Sequence, residues 1–339
     1  MRVLVTGGTG SVGRAVTRLL AEAGYEVTVI GRSARAEVEH ATYEQCDVND
    51  YDRLREVVEG HESIVHLAAL RSPVGNPGRE VFRVNDLGTF HVFEAAAEAG
   101  IGRVVAASSI NALGTFFGDR SPRIVYLPVD ESHPTLATDA YSFSKQVMEE
   151  IGRYFSERDG ITSTLLRLPA VVSHEKITEG ISPYATYDWR IIERLIAMPE
   201  GKRIAELQRL QTEYDRFRRE HRLEHEEWSS WRNASSGDAV LSRQELLFMH
   251  HRANLFTYVD ELDSAASIVA ALEAPFQGSH ALFINAKTND VGVPAGELAK
   301  LYATDTPAIR PSTAGDSTLV SIDRARQLIG FEPEWNLPA

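Results

Sequence analysis

Tyr141 and Lys145 stand four residues apart in Tyr141-Ser142-Phe143-Ser144-Lys145. On a helix that spacing puts a phenol and an ammonium on one face, one turn apart. A free tyrosine has a pKa of about 10 and is a poor base at neutral pH. A fixed cation nearby favours the phenolate. Bringing that pKa near 7 corresponds to about 4 kcal/mol of differential stabilisation. Tyr141 is therefore read as an acid/base, with Lys145 as the cation that tunes it. Ser108 and Ser109 fall at the C-terminal end of a predicted strand, where open α/β sheets bind ligands. A hydroxyl there can hold a substrate oxygen and donate to the charge developing on it.

A second feature lies at the start of the chain. The run Thr6-Gly7-Gly8-Thr9-Gly10-Ser11-Val12-Gly13 joins a predicted strand to a predicted helix. Glycines let the backbone turn tightly and approach a pyrophosphate, which then meets the N–H groups of the helix N-terminus. Such a triplet is weak evidence alone and strong between the first strand and first helix of an alternating chain. Dinucleotide binders for NAD usually carry an Asp or Glu at the end of the second strand. Here that place holds Gly31, followed by Arg32 and then Arg35. A guanidinium without a carboxylate suits a 2′-phosphate, so NADP(H) is expected over NAD(H).

These groups need a scaffold. β-branched runs at Arg2–Thr6, Glu26–Gly31, Ser63–Ala68 and Arg103–Ser108 alternate with helix-like stretches at Gly13–Ala23, Tyr51–Glu59 and Asn85–Ala99. Continuous apolar strands separated by helices predict an α/β fold with a doubly wound parallel sheet, a Rossmann fold. A helix is expected over 140–157 and a buried strand over 163–172. Residues 202–227 are densely charged, yet Ile204, Leu207, Leu210, Tyr214 and Phe217 recur at helical spacing. That predicts one apolar stripe on a solvated helix, with i,i+4 pairs Arg209/Glu213, Asp215/Arg219 and Arg216/Glu220. Residues 229–238 read as a polar loop. A helix over 260–273 and a strand over 281–285 read as a return to the core. The expected division is a cofactor-binding Rossmann part, 1–172, and a smaller, mainly substrate-binding C-terminal part, 173–339, whose segments near 253–285 rejoin the core.

Composition bounds the remaining possibilities. The chain has 339 residues, 43% hydrophobic and 24% charged, values ordinary for a globular protein. No apolar run reaches the roughly 18 residues of a membrane span. A net charge of −13 makes nucleic acid and anionic membranes poor partners. Cys46 is the one cysteine, which excludes an internal disulfide and a cysteine-rich zinc site and reads as a small core residue. The strand-like start right after Met1 leaves no room for a leader, so a cytoplasmic protein is expected. His221 and His225 have helical metal-ligand spacing, and His250 and His251 adjoin the C-terminal part. They are read as solvated or structural, and no metal is expected. Trp189, Trp228, Trp231 and Trp335 are read as packing residues.

With these motifs in this order, the chain resembles the extended short-chain dehydrogenase/reductase family, also called the NAD-dependent epimerase/dehydratase family, over nearly its whole length. The family's Gly-x-x-Gly-x-x-Gly resembles Gly7, Gly10 and Gly13. Asp47, followed by Val48, resembles its adenine-contacting acid. His66-Leu67-Ala68-Ala69 resembles its strand-four motif lining the cofactor, and Asn85 in Val84-Asn85-Asp86-Leu87-Gly88-Thr89 its helix-four asparagine. Ser109, Tyr141 and Lys145 resemble its catalytic residues. Leu166-Arg167-Leu168-Pro169 resembles the segment passing the nicotinamide. Phe256-Thr257-Tyr258-Val259-Asp260 and the ending from Asp323 to Trp335 resemble its C-terminal signatures. Two departures stand out. Nucleotide-sugar members often carry Arg-Asp before that Phe, where this chain has Asn254-Leu255, with Arg252 nearby as a substitute. The serine loop continues to Leu113-Gly114 rather than Tyr-Gly.

The resemblance implies reversible hydride transfer at a secondary alcohol or ketone of a carbohydrate-like or other hydroxylated small molecule. In that reading Thr9, Ser11, Val12, Leu67, Ala68, Ala69 and Pro169 join the glycines around the cofactor. Tyr141 moves the proton, Lys145 binds the ribose, Ser109 orients the substrate oxygen and Asn85 acts indirectly. Arg71, Ser108, Asn111 and Arg252 are candidate substrate contacts. The family also implies a homodimer. A sugar or nucleotide-sugar epimerase or dehydratase that retains its cofactor is the alternative. An NADP(H)-sensing regulator is the second alternative, against which an intact Ser-Tyr-Lys set argues.

Overall fold

The structure, a computed structural model, describes residues 1–179, 188–221, 223, 240–305, 307–310 and 317–337. In chain order its main elements begin with β1 (Arg2–Thr6), α1 (Ser11–Glu22), β2 (Glu26–Gly31), β3 (Thr42–Gln45), α2 (Tyr51–Val58) and β4 (Ser63–His66). There follow α3 (Gly78–Val81), a π-helical turn (Phe82–Leu87), α4 (Gly88–Glu98), β5 (Arg103–Ser109), β6 (Tyr126–Leu127), α5 (Ala140–Asp159), β7 (Thr162–Leu168) and β8 (Ala170–Val172). The C-terminal half adds α6 (His174–Thr178), α7 (Arg190–Ala197), α8 (Glu200–Glu220), α9 (Arg243–Ala253), β9 (Tyr258–Asp260), α10 (Glu261–Glu273), β10 (Ser279–Phe283), α11 (Ala295–Ala299), β11 (Ala308–Ile309) and α12 (Asp323–Ile329).

Seven strands form one parallel sheet in the order β10-β7-β5-β4-β1-β2-β3. The expected doubly wound α/β fold is therefore present. β4 is buried at every position, as a strand covered on both faces must be. The chain order reverses between β1 and β4, so the crevice at their C-terminal ends is the topological switch point. Thr6 pairs with Ile30 on one side and His66 on the other, which brings the glycine loop beside the strand-four motif. On the other flank Ser109 lies opposite Leu168, just before Pro169. α5 starts cleanly because the Asp139 carboxylate accepts the Ser142 N–H at 2.8 Å, and it stops at Gly160 in the left-handed region.

Several elements differ from the sequence expectations. The strand expected over 163–172 is two strands. Pro169 has no N–H for the ladder, so β7 ends at Leu168 and β8 leaves the main sheet to pair with β9. The helix expected from Asn85 begins at Gly78, and Asn85 lies within its π-helical turn. On α8 the ion pairs Arg209–Glu206, Arg216–Glu213 and Arg218–Asp215 all run at i,i+3. The stripe of Leu207, Leu210, Tyr214 and Phe217 is buried as expected, and of the other α8 positions only Arg218 is buried with it. The loop expected over 229–238, together with His225, Trp228 and Trp231, lies outside the described residues. No described helix is long and apolar enough to cross a membrane.

Candidate active site

The glycine loop is shaped by close backbone contacts. A Cβ on Gly7 would lie 2.7 Å from the Ala68 nitrogen, and one on Gly13 only 2.4 Å from the Gly7 oxygen. Gly10 differs, since nothing comes nearer to its added Cβ than the Gly7 oxygen at 3.4 Å. It precedes α1 without any side-chain cap, so the first-turn N–H groups face open space. That cradle fits a pyrophosphate. Thr6 holds its wall in place by accepting the Leu67 and Ala68 N–H groups at 3.2 and 3.1 Å.

The Thr6 hydroxyl also meets His66 Nδ1 at 2.8 Å, while His66 Nε2 meets Thr89 at 3.1 Å. Burial pulls the His66 pKa down to about 3, so this imidazole is neutral and structural. Asn85 fixes the next segment. Its Oδ1 accepts the Leu70 N–H at 2.8 Å, and its Nδ2 donates to the Leu70 carbonyl and the Ser144 hydroxyl, each at 3.0 Å. It thereby ties the loop carrying Arg71 to α5.

A cavity of about 460 Å³ opens at this crevice. One side is formed by Ser11, Val12, Leu67, Ala69, Pro169 and the α5 residues Tyr141 and Lys145. Ser108, Ser109, Asn111 and Arg71 line it too. Ser109 accepts the Asn111 N–H at 3.1 Å and donates to the Leu168 carbonyl at 3.4 Å. Ser108 is held otherwise, donating to Glu149 at 2.8 Å, and Glu149 is gripped by two bonds from buried Arg167. The far wall comes from Phe116, Phe117, Leu247, His250, His251 and Asn254. The Phe117 ring stands edge-on to Tyr141 at 5.6 Å. Asp290 pairs with His251 Nδ1 at 2.5 Å, and the Trp189 ring meets His251 edge-on.

The electrostatics depart from the expected tuning. Burial pushes the Tyr141 phenol up to about 12; the Ser109 hydrogen bond and the Arg71 charge pull against that rise, and Asp139 adds to it. Lys145 instead donates to the Ala107 carbonyl at 2.8 Å, with its Nζ 5.7 Å from the Tyr141 ring centre. Burial pulls the Lys145 ammonium down to about 8, against the charges of Asp86 and Glu149. The groups that favour the phenolate here are thus Ser109 and Arg71, a role the sequence reading had given to Lys145.

Other site residues sit away from the cavity. Arg32 is exposed just past β2, where its backbone carbonyl accepts from Gln45, and Arg35 is exposed three residues on. Thr9 is exposed in the glycine loop. Asp47 accepts the Asn49 N–H at 2.9 Å, and Val48 is buried next to Gly88. The structure does not bring Arg252 to the cavity. It is buried over the Tyr302 ring and donates to the Leu301 carbonyl and Gln211; one step along α9 from His251 turns its side chain about 100° around the helix. His221 donates from Nδ1 to the Phe217 carbonyl and stacks on the Phe217 ring. Among the described residues no three His, Cys, Asp or Glu side chains gather as a metal site. Cys46 is buried, and burial pushes its thiol up to about 11.

Sequence reasoning missed Asp86. This carboxyl is buried in the π-helical turn, its two oxygens have no hydrogen-bond partner, and burial pushes it up to about 7 against the pull of Lys145. The signal was present only as an acid next to Asn85 in the Val84–Thr89 motif. Phe116, Phe117 and the His251–Asp290 pair carry no local signal, since only the fold brings them to Tyr141.

Comparison with known proteins follows the same lines. Residues 3–217 match the NAD dependent epimerase/dehydratase family. A uronate dehydrogenase of Pseudomonas syringae pv. tomato is 26% identical over 203 residues, covering 59% of this chain and 70% of that protein. An L-arabinose 1-dehydrogenase (NAD(P)(+)) of Haloferax volcanii is 33% identical over 183 residues, covering 52% of this chain and 70% of that protein. A short-chain dehydrogenase/reductase superfamily protein of Agrobacterium tumefaciens, solved with bound NAD, superposes with a TM-score of 0.63 at 22% identity, covering 99% of this chain and 94% of that one.

Proposed function

The chain belongs to the NAD dependent epimerase/dehydratase family, the extended short-chain dehydrogenases/reductases, and on that premise we propose that it is a net oxidoreductase acting on a carbohydrate-like, hydroxylated small molecule. One observation carries the reading. Tyr141, Lys145 and Ser109 line the same cavity as the N-terminal turn of α1. The nicotinamide, when bound, takes or gives the hydride. In oxidation Tyr141 must first be ionised with cofactor and substrate in place; its phenolate then accepts the hydroxyl proton as the carbinol carbon loses hydride. In reduction its phenol donates that proton to the carbonyl oxygen. Ser109 holds that oxygen and donates to its developing charge. Lys145 binds the nicotinamide ribose, and Asn85 acts through the loop and helix it joins.

The finer features have their own support. Arg32 and Arg35, exposed past β2 with no carboxylate at Gly31, support NADP(H) over NAD(H). Arg71 at the cavity supports a substrate carrying an anionic or strongly hydroxylated group, as a uronate does. Arg252, already engaged beside Tyr302, and Asn254-Leu255 before Phe256 argue against a nucleoside-diphosphate substrate. Residues before about 172 supply the cofactor side and part of the substrate wall, and the later part is mainly substrate-binding. Exposed Phe82, Phe143 and Tyr154 on the π-turn and α5 support a homodimer through those helices. The lone buried Cys46 supports a reducing cytoplasm.

The test is direct. The purified protein is titrated with NADPH and NADH, then offered aldoses, uronates and polyols while reduced-nicotinamide absorbance is followed. Net absorbance change on a uronate or aldose is expected. Tightly retained cofactor with substrate conversion and no net change would establish an epimerase instead. Cofactor binding equal in wild type and Tyr141→Phe, with both inert on the whole panel, would establish a sensor.

A further inference from the structure

The loop carrying Phe116 and Phe117 lies between two hollows. On one side the two rings wall the 460 Å³ cavity; on the other, Thr115, Ser121, Pro122, Arg123 and Ile124 line a second cavity of about 290 Å³. The rings are buried in the main core cluster, Phe116 edge-on to Phe117 and to His250, while the backbone beside them borders the second cavity. One side chain crosses to the loop from α8. Arg218, buried to 5% exposure, donates from Nη1 to the Thr115 and Phe116 carbonyls at 3.2 and 3.4 Å. Its Nη2 donates to the Ser121 hydroxyl at 3.2 Å and the Asp215 carboxylate at 2.6 Å. Ser121 in turn donates to the Thr115 carbonyl at 2.9 Å, and the guanidinium lies 4.4 Å over the Tyr214 ring.

Burying a guanidinium is costly unless its donors are satisfied. An apolar side chain would fill the same space more cheaply. A planar fork of donors instead fixes backbone carbonyls at defined points. Those carbonyls belong to the residues that carry the wall, and Phe117 stands edge-on to Tyr141. We infer that Arg218 is a positioning residue for the substrate: from α8 it locks the Thr115–Phe116 backbone, and so the two rings against which the substrate is held at Tyr141. The inference rests on the oxidoreductase reading for its kinetic arm only.

The experiment compares wild type, Arg218→Met and Arg218→Lys by hydrogen exchange, cofactor titration and steady-state kinetics. Exchange over 114–124 is expected to rise about tenfold or more in Arg218→Met, with the glycine loop unchanged. Substrate KM is expected to rise about tenfold, with kcat and cofactor Kd within about threefold of wild type. Arg218→Lys, keeping the charge and part of the bonding, is expected to recover part of both effects. Unchanged exchange over 114–124, or faster exchange with unchanged substrate KM, overturns the inference. So does an equal loss of cofactor affinity. If Arg218→Met does not fold, Ser121→Ala, which leaves the Asp215 pair intact, is judged by the same readouts. A wild type that turns over no substrate refutes the oxidoreductase reading, and the exchange arm then decides the clamp alone.

Discussion

The Lys145 ammonium is bonded to the Ala107 carbonyl at 2.8 Å, not to the Tyr141 oxygen, whose ring centre it faces from 5.7 Å. Burial therefore dominates the phenol, which is pushed up to about 12. Cofactor-free protein is expected to show no tyrosinate absorbance from Tyr141 below about pH 10, measured as wild type minus Tyr141→Phe. Ser109→Ala removes a hydrogen bond that favours the phenolate, so it is expected to move ionisation higher still. A Tyr141 step near neutral pH would mean that the amine, rather than burial, rules the pair.

Removing the phenolic oxygen should spare binding and stop turnover. Tyr141→Phe is expected to lower kcat about 10²- to 10⁴-fold, with cofactor Kd within about twofold. Ser109→Ala is expected to cost about 10- to 1,000-fold, and the double variant less than the product of the two. Stopped-flow and steady-state rates check this; a fully multiplicative double variant would show that the two groups act independently.

Asp86 makes stability depend on pH. In the unfolded chain its carboxyl ionises near 4, whereas in the folded chain burial holds it protonated up to about 7. Between those values the folded state keeps a proton that the unfolded state has lost. Stability is thus present below about pH 4 and is lost as pH rises toward 7. Asp86→Asn removes that loss and is expected to stabilise the protein by about 2–4 kcal/mol at pH 8 but little at pH 4. Denaturant titrations at both pH values check it, and an equal effect at each would show that the carboxyl is already satisfied.

Cofactor preference should turn on two exposed guanidiniums. Arg32→Ala combined with Arg35→Ala is expected to weaken NADPH about 10- to 100-fold and to leave NADH within about threefold. Calorimetry with both nucleotides measures the difference. Equal losses for the two would place these arginines outside any 2′-phosphate contact.

The parts of the fold set by local pattern were legible. β1, β2, β4 and β5 are apolar runs, and α1 follows a glycine loop whose spacing is itself a motif. β3 was not seen as a run, because Thr42–Gln45 is a polar, half-exposed edge strand. The break at Pro169 was hidden inside a segment read as one strand. Arg252 looked like an anion contact by charge and position, but helix phase decides, and its phase on α9 turns it toward Tyr302. The ion pairs of α8 were misassigned: Arg209 and Arg216 reach back three positions rather than forward four, and Asp215 pairs with Arg218 rather than Arg219. The aromatic wall was illegible for a different reason: Phe116 and His250 are 134 positions apart and meet only after folding, their rings edge-on at 5.5 Å.

The central sheet is completed from the far end of the chain. β10 supplies its outer strand beside β7, and α10 packs on α1. A nascent polypeptide that has emerged from the ribosome only as far as Val172 lacks both. The face of α1 that will meet α10 is then uncovered, and β7 is a raw edge. Translation must run roughly a hundred residues further before the seven-stranded sheet can close, so chaperone engagement is to be looked for in that interval, on the surface of α1.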